Sequence, residues 1–271
     1  MDLGLTGVHV LVTGASGGIG LESVRVFLDQ GAKVTAHYNT NSSSLTPLIE
    51  KYGSNRIQSI QANIGEEASV LDMFSSASKT FKAVQVLVVN HGIFPPPAPL
   101  WEISLERWQN TLNINLTGSF LVTREYLRQL KSESDSVKEK ASIVFIGSTA
   151  GKIGCASYAD YAASKSAMMY GLPLSLKNEI VKIAPRGRVN AIGPGFVKTE
   201  MIAEALKDPK VLYMDMATTP LRKVATPFDV ATQIVLLSSQ KVSGHVNGQV
   251  VMVDGGLEGR LQNQPEDIFE V

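Results

Sequence analysis

The stretch VHVLVTGASGGIG, Val8–Gly20, decides the fold. Val8–Val12 is short, apolar and rich in β-branched residues, so it reads as a buried strand. Thr13–Gly20 follows with no spacer. A helical pattern comes next: Ile19, Val24, Phe27 and Leu28 recur at helical intervals until Gly31 stops them. Lys33–Tyr38 reads as a second strand. Strand, glycine turn, helix and strand make a βαβ unit. Its glycines let backbone N–H groups approach a pyrophosphate at the helix N-terminus. A glycine-rich turn alone is also read as a tight connection. Its place between strand and helix favours a nucleotide site.

The alternation continues outward. Strands are expected at Arg56–Ala62, Val84–Val89, Ile143–Ile146, Arg188–Ile192 and Gln249–Val253. Helical patterns cover Glu67–Phe81, Leu105–Leu130, Tyr158–Ile183 and Phe228–Ser238, while Ser132–Lys140 reads as a polar loop. Apolar strands alternating with helices imply one α/β domain, a doubly wound parallel sheet of Rossmann type with helices on both faces. Ligands of such sheets sit outside the carboxyl ends of the strands. Gly14, Asn90, Ser148 and Gly193 each follow an expected strand and should line that edge.

Composition bounds the function. The 271 residues include 25 Lys+Arg and 25 Asp+Glu, so there is no electrostatic case for nucleic acid or an anionic membrane. Cys155 is the only cysteine, which rules out an intrachain disulfide and a multi-cysteine metal site. It reads as a small packing residue. No apolar run approaches the ~18 residues of a membrane span. MDLGLTGVHV has no basic region ahead of an apolar one. The expectation is a soluble, cytoplasmic protein with no metal.

GSTAGKIGCASYADYAASK, Gly147–Lys165, is the second informative stretch. Tyr161 and Lys165 are four residues apart, hence on one helix face. Ser148 stands at the end of the strand before them. A free phenol has a pKa of about 10, and a fixed ammonium nearby lowers it. Together the three can bind a carbonyl or hydroxyl oxygen and exchange a proton with it. Alone, Tyr161 is equally an ordinary buried aromatic and Lys165 a surface charge.

In order and spacing the motifs resemble the short-chain dehydrogenase/reductase family. They are TGASGGIG at Thr13–Gly20, NHG at Asn90–Gly92, NINLTG at Asn113–Gly118, Ser148, YAASK at Tyr161–Lys165, PGFVKT at Pro194–Thr199 and VDGG at Val253–Gly256. The resemblance implies Tyr161 as general acid/base. Lys165 would lower the phenol pKa and bond the nicotinamide ribose, and Ser148 would hold the reacting oxygen. Asn115 matches the asparagine that fixes a water in the proton relay; the other reading is a helix-interior amide bonded to backbone. Gly14, Ser16, Gly18, Ile19 and Gly20 would cradle the pyrophosphate. Asn63, Ile64, Asn90 and Gly92 would flank adenine and its ribose, with Pro194, Gly195, Val197 and Thr199 near the nicotinamide. His91 replaces the alanine of the usual Asn-Ala-Gly and reads as a spacer beside the cofactor. Asn63 stands where many relatives carry Asp.

NAD-specific relatives place a carboxylate at the position of Tyr38. No Asp or Glu occurs between Gly31 and Ile49. This favours NADP over NAD, with Tyr38, Asn39, Asn41 and Ser42 beside the 2′-phosphate. NTNSSS also reads as a polar loop and helix cap. The expected activity is NADPH-dependent reduction of a ketone to a secondary alcohol. Alternatives are an NAD-dependent alcohol dehydrogenase, an enoyl reductase, and a non-catalytic nucleotide sensor on the same fold. The apolar residues Phe94, Leu100, Trp101, Met201, Ile202, Met214 and Met216 flank the expected pocket and suit a hydrophobic or mixed substrate. A lid is expected around 199–219, and Leu257–Val271 as a polar tail that covers a neighbour or is disordered. Small residues on the helix through Ala159, Ala162, Ala163 and Ala167 permit close helix approach, and relatives are usually dimers or tetramers; a homo-oligomer follows.

Overall fold

The computed structural model describes residues 2–257, with the side chains of residues 205 and 214–216 set aside. The elements run β1 His9–Val12, α1 Gly18–Asp29, β2 Lys33–Tyr38, α2 Thr46–Tyr52, β3 Ile57–Gln61, α3 Glu67–Phe81, β4 Val86–Val89, α4 Leu105–Leu112, α5 Gly118–Lys131, α6 Asp135–Lys138 and β5 Ser142–Ile146. They continue with α7 Thr149–Ile153, α8 Ala159–Ser166, α9 Leu172–Ile180, β6 Arg188–Pro194, α10 Pro209–Ala217, α11 Pro227–Ser238, α12 Gln240–Ser243 and β7 Val250–Val253. All seven strands pair in parallel in the order β3-β2-β1-β4-β5-β6-β7. The order reverses between β1 and β4, so the turns after those strands open a crevice at the carboxyl edge.

Helices cover both faces because the central strands bury both sets of side chains. Val10 and Val12 pack with Phe27, Val34 and Ile234 on one side. Leu11, Leu87 and Val89 pack with Phe74, Val122 and Met168 on the other. Burial on both faces explains why β1, β4 and β5 read as continuous apolar runs rather than alternating ones.

Several expectations need correction. The run expected as a helix over Leu105–Leu130 is α4 and α5 joined by a π turn at Asn113–Thr117, where Gly118 N–H reaches back to Asn113 O. Tyr158–Ile183 is likewise α8 and α9 joined by a π turn at Ala167–Gly171. Pro173, at the start of α9, has no N–H to give the carbonyl four residues back, so the ladder widens there. β6 runs beyond Ile192 through Gly193 to Pro194, so Gly193 lies inside the strand rather than after it. Close packing keeps it a glycine: a Cβ there would lie 2.7 Å from Met252 Sδ. The 132–140 stretch is not all loop, since Asp135–Lys138 forms a short helix. Pro209 opens α10 within the segment expected as a lid, a position where its missing N–H costs nothing. Apart from Leu257, the tail expected over Leu257–Val271 lies outside the described residues.

Candidate active site

The turn after β1 is built on Gly14. Its φ of +63° is left-handed, and a Cβ there would stand 2.9 Å from His91 Cα. Asn90 secures the turn from the next strand: its Nδ2 donates to Thr13 O and Gly14 O, both at 3.0 Å. Thr13 Oγ1 accepts from Asn90 N–H at 2.9 Å and faces His91 Nδ1 at 2.8 Å. His91 is therefore a buried brace of the turn rather than a spacer, and burial pushes its imidazole down to about 3.

The N-terminus of α1 has Gly17 at its cap, no side-chain cap and no acidic residue in its first turn. Its opening N–H groups and positive dipole end fit an anion. A Cβ on Gly20 would overlap Gly14 O, and one on Gly18 would lie 2.5 Å from Thr199 Cγ2. Gly20 thus lets α1 pack against the turn, Gly18 faces Thr199, and the uncapped start of α1 fits a dinucleotide pyrophosphate. Ser16 O accepts from Ser44 Oγ at 2.9 Å, tying this turn to the segment after β2.

The expected adenine side is more self-contained. Asn63 Nδ2 donates to Glu66 and Asn63 Oδ1 accepts from Gly65 N–H, so its amide caps the turn before α3. Ile64 is buried against Gly118. Tyr38 packs its ring on the core beside α2. Asn39 and Asn41 are exposed and Ser42 half-buried; Asn41 Oδ1 accepts from Ser43 N–H, the cap that the second reading of NTNSSS describes. Pro194 closes β6, Gly195 N–H bonds Val253 O at 3.1 Å, and Val197 is buried, bridged to Ala225.

Ser148, Tyr161 and Lys165 come together. Ser148 caps α7, its Oγ accepting from Ala150 N–H, and it pulls the Tyr161 phenol towards a lower pKa. Lys165 Nζ lies 5.7 Å from the Tyr161 ring centroid and donates to Ile146 O at 2.9 Å. A Cβ on Gly92 would stand 3.3 Å from that ammonium and 3.2 Å from Asn115 Oδ1. Bare backbone after β4 thus lies against both residues.

The electrostatics differ from the expectation of a lowered phenol pKa. Burial dominates and pushes Tyr161 up to about 12, against a lowering pull from Ser148. Burial pushes Lys165 down to about 8. The ammonium is held over the ring face, spending a hydrogen bond on a backbone carbonyl. At neutral pH this gives a protonated phenol beside a mostly charged lysine.

Asn115 is fully buried in the π turn, and its amide is taken up. Oδ1 accepts from Ile93 N–H at 2.8 Å, and Nδ2 donates to Ile93 O and Ser164 Oγ, both at 3.1 Å. The widened turn points this amide at the segment after β4 and at α8 together. Through its side chain Asn115 fastens the two walls of the site.

Asp160, the ring contacts of Tyr158 and the bond to Met169 escaped the sequence reading, whereas Phe94 was expected to flank the pocket. Asp160, next to Tyr161 and wholly buried, accepts from Arg107 Nε at 2.9 Å and Thr111 Oγ1 at 3.0 Å, which pins the start of α8 to α4. Phe94 stacks on Tyr158 at 4.4 Å and meets Tyr161 edge-on at 4.9 Å. Met169 Sδ accepts from Ser148 N–H at 3.4 Å. Only Phe94 carried a signal, as an aromatic in the flanking loop. Of the other flanking residues, Leu100, Trp101 and Met201 are exposed and Ile202 half-buried, while Met214 and Met216 lie outside the described side chains.

A family model described as enoyl-(acyl carrier protein) reductase matches residues 14–258. The chain belongs to the short-chain dehydrogenase/reductase family. It is 31% identical to a 3-oxoacyl-[acyl-carrier-protein] reductase of Synechocystis, covering 93% of this chain and 98% of that one. It is 32% identical to 3beta-hydroxysteroid dehydrogenase 1 of Eggerthella lenta, over 93% of this chain and 94% of the relative. A crystal structure of a short-chain dehydrogenase/reductase from Brucella melitensis, titled glucose/ribitol dehydrogenase, superposes with a TM-score of 0.83 at 30% identity, over 95% of this chain and 99% of that one. As a member of the family, this protein is an oxidoreductase of CH–OH and C=O groups that uses a nicotinamide dinucleotide. No helix among the described residues is long and apolar enough to cross a membrane.

Proposed function

We propose that this short-chain dehydrogenase/reductase reduces a ketone to a secondary alcohol with NADPH, Tyr161 serving as general acid/base. One observation carries the reading: Lys165 lies over the Tyr161 ring, against Gly92, while Ser148 acts on the same phenol. When bound, the nicotinamide supplies the hydride in reduction and takes it back in oxidation. The chain supplies the rest. Ser148 Oγ holds the substrate oxygen within reach of the phenol. Tyr161, raised to about 12, is protonated at neutral pH and gives its proton to that oxygen as charge develops. The Lys165 ammonium opposes the charge left on the ring. Asn115 acts at one remove, by holding Ile93 and Ser164. The high phenol pKa supports reduction as the neutral-pH direction, with oxidation gaining as pH rises.

NADPH is favoured because no carboxylate stands between Gly31 and Ile49 to repel a 2′-phosphate. The substrate class follows from the flank: the Phe94–Tyr158 stack, Leu100, Trp101 and Met201 suit a hydrophobic or mixed ketone, such as a β-ketoacyl or steroid-like compound. The two curated relatives act, by their names, on those kinds of substrate. The enoyl reductase named by the family model is the second reading. The four-residue spacing of Tyr161 and Lys165 speaks against it, because that branch separates the pair more widely. A panel of ketones and enoyl thioesters, assayed with NADPH and NADH, decides. Turnover of ketones is expected; turnover of enoyl thioesters alone would overturn the reading, and dinucleotide binding without turnover of any substrate would favour a sensor.

We also infer a symmetric homo-oligomer, dimer or tetramer. Phe120, Tyr170 and Leu174 are exposed apolar residues on α5, the π turn between α8 and α9, and α9, and Phe120, Leu127, Leu172 and Ile183 line a groove beside α5 and α9. Ala163 is exposed and Ala159, Ala162 and Ala167 are half-buried, leaving room for a neighbouring helix. Light scattering at micromolar concentration should give at least twice the chain mass of 29.2 kDa; a monomer refutes it.

A further inference from the structure

The base of the dinucleotide turn holds a side chain that no motif singled out. His37, the penultimate residue of β2, is 1% exposed. Its Nδ1 accepts a hydrogen bond from Gly14 N–H at 3.0 Å. Its Nε2 lies 3.0 Å from Ala62 O. Its own carbonyl accepts from Ala15 N–H at 2.7 Å. One residue therefore holds two successive amides of the glycine turn. The same ring reaches the end of β3, immediately ahead of Asn63 and Ile64.

These partners fix the ring's tautomer. An amide N–H only donates, so Nδ1 must present its lone pair to Gly14. A carbonyl only accepts, so Nε2 must carry the hydrogen that goes to Ala62. Burial pushes the imidazole down to about 4, consistent with a ring that stays neutral. An aliphatic residue at position 37 would fill the same space. It would also leave Gly14 N–H and Ala62 O, both part of the cradle's frame, without these bonds.

We propose that His37 is a positioning residue for the dinucleotide: its imidazole sets the Gly14–Ala15 turn and ties it to the Ala62 end of β3, holding the pyrophosphate cradle and the adenine flank at a fixed spacing. This rests on the nucleotide-binding reading of the crevice. The ring makes no contact with the reacting atoms. Its loss should act on cofactor affinity and not on the chemical step.

The test compares the unmutated protein with His37→Leu and His37→Asn, using calorimetric titration with NADPH and NADH and steady-state kinetics. His37→Leu should raise cofactor Kd and KM at least tenfold, with kcat at saturating cofactor falling less than threefold. His37→Asn should recover part of the affinity, because its Oδ1 can still accept from Gly14 N–H. Should either variant fail to fold, the 15N spectrum of histidine-labelled unmutated protein at neutral pH reports the ring directly, and must show His37 as the neutral Nε2–H tautomer. Cofactor Kd within twofold of the unmutated value in His37→Leu, or an Nδ1–H or doubly protonated ring, would overturn the inference. Failure of the unmutated protein to bind either dinucleotide would instead contradict the proposed function, and this inference with it.

Discussion

The two sides of the crevice are built differently. The proposed cofactor side, formed by residues 13–20, 37 and 90–92, is held by buried Thr13, His37 and His91 and half-buried Asn90, which bond the backbone or one another. The proposed substrate side, formed by residues 93–103 and 199–213, presents exposed apolar side chains: Trp101 is 85% exposed, Leu100 62%, Met201 59% and Tyr213 57%. A site that must bind one cofactor well gains from a rigid frame, whose buried polar groups are costly to disturb. A face that recognises one apolar ligand among many needs area and shape more than fixed hydrogen bonds. On the proposed function, the contrast assigns cofactor binding to the frame and substrate choice to the flank.

The largest effect expected is in acid stability, because the fold buries neutral histidines, two of them in the frame and one, His9, at the start of β1. His9 and His37 are pushed down to about 4 and His91 to about 3, all by burial. Their folded pKa values lie below the unfolded value of about 6.5, so the unfolded chain takes up protons first as pH falls. Stability is complete above about pH 6.5 and is lost from there towards about pH 4. Each histidine contributes about 1.4 kcal/mol per pH unit, hence about 4 kcal/mol per unit at most for the three. Denaturant titrations from pH 7.5 to 4.5 should show this fall. A flat profile down to pH 5 would mean that the rings are charged or solvated in the fold.

Next in size is Lys165→Met. Removing the ammonium should cut turnover by about a hundredfold or more and weaken cofactor binding too. Kinetics and calorimetry on one preparation separate the two losses, and an effect on neither contradicts its double role. The smallest effect is at Tyr38, where the frame opens onto exposed Asn39 and Asn41. Tyr38→Asp should turn a preference for NADPH into one for NADH. One lost favourable contact and one added repulsion amount to about 1–3 kcal/mol, roughly ten- to a hundredfold in affinity. Tighter binding of NADH by the unmutated protein would show that shape, not charge, selects at Tyr38.

The contrast also explains what was legible in the sequence. The βαβ unit could be read from Val8–Tyr38 because a strand buried on both faces and a glycine turn leave one-dimensional patterns. Tyr161 and Lys165 could be read because helix geometry converts spacing into a shared face, and Ser148 because it follows an apolar strand. The π turns could not: Leu105–Leu130 and Tyr158–Ile183 keep apolar spacing through them, and widening by one residue hardly disturbs it. His37 and Asp160 were missed for another reason. Their partners, Gly14, Ala62, Arg107 and Thr111, lie in other elements, and a pairing across the fold leaves no local mark. The phenol pKa was misjudged because neighbouring charge is visible in a sequence whereas depth of burial is not.

The central claim is that a phenol supplies the proton while separate residues hold the cofactor. Measuring turnover and cofactor Kd on the same sample of Tyr161→Phe tests it most directly. The ring's volume and its edge-on contact with Phe94 are kept, and only the hydroxyl is lost. Ketone reduction should fall by about 10²–10⁴-fold or more with cofactor Kd unchanged within twofold. A Tyr161→Phe protein that reduces ketones at the unmutated rate would contradict the account.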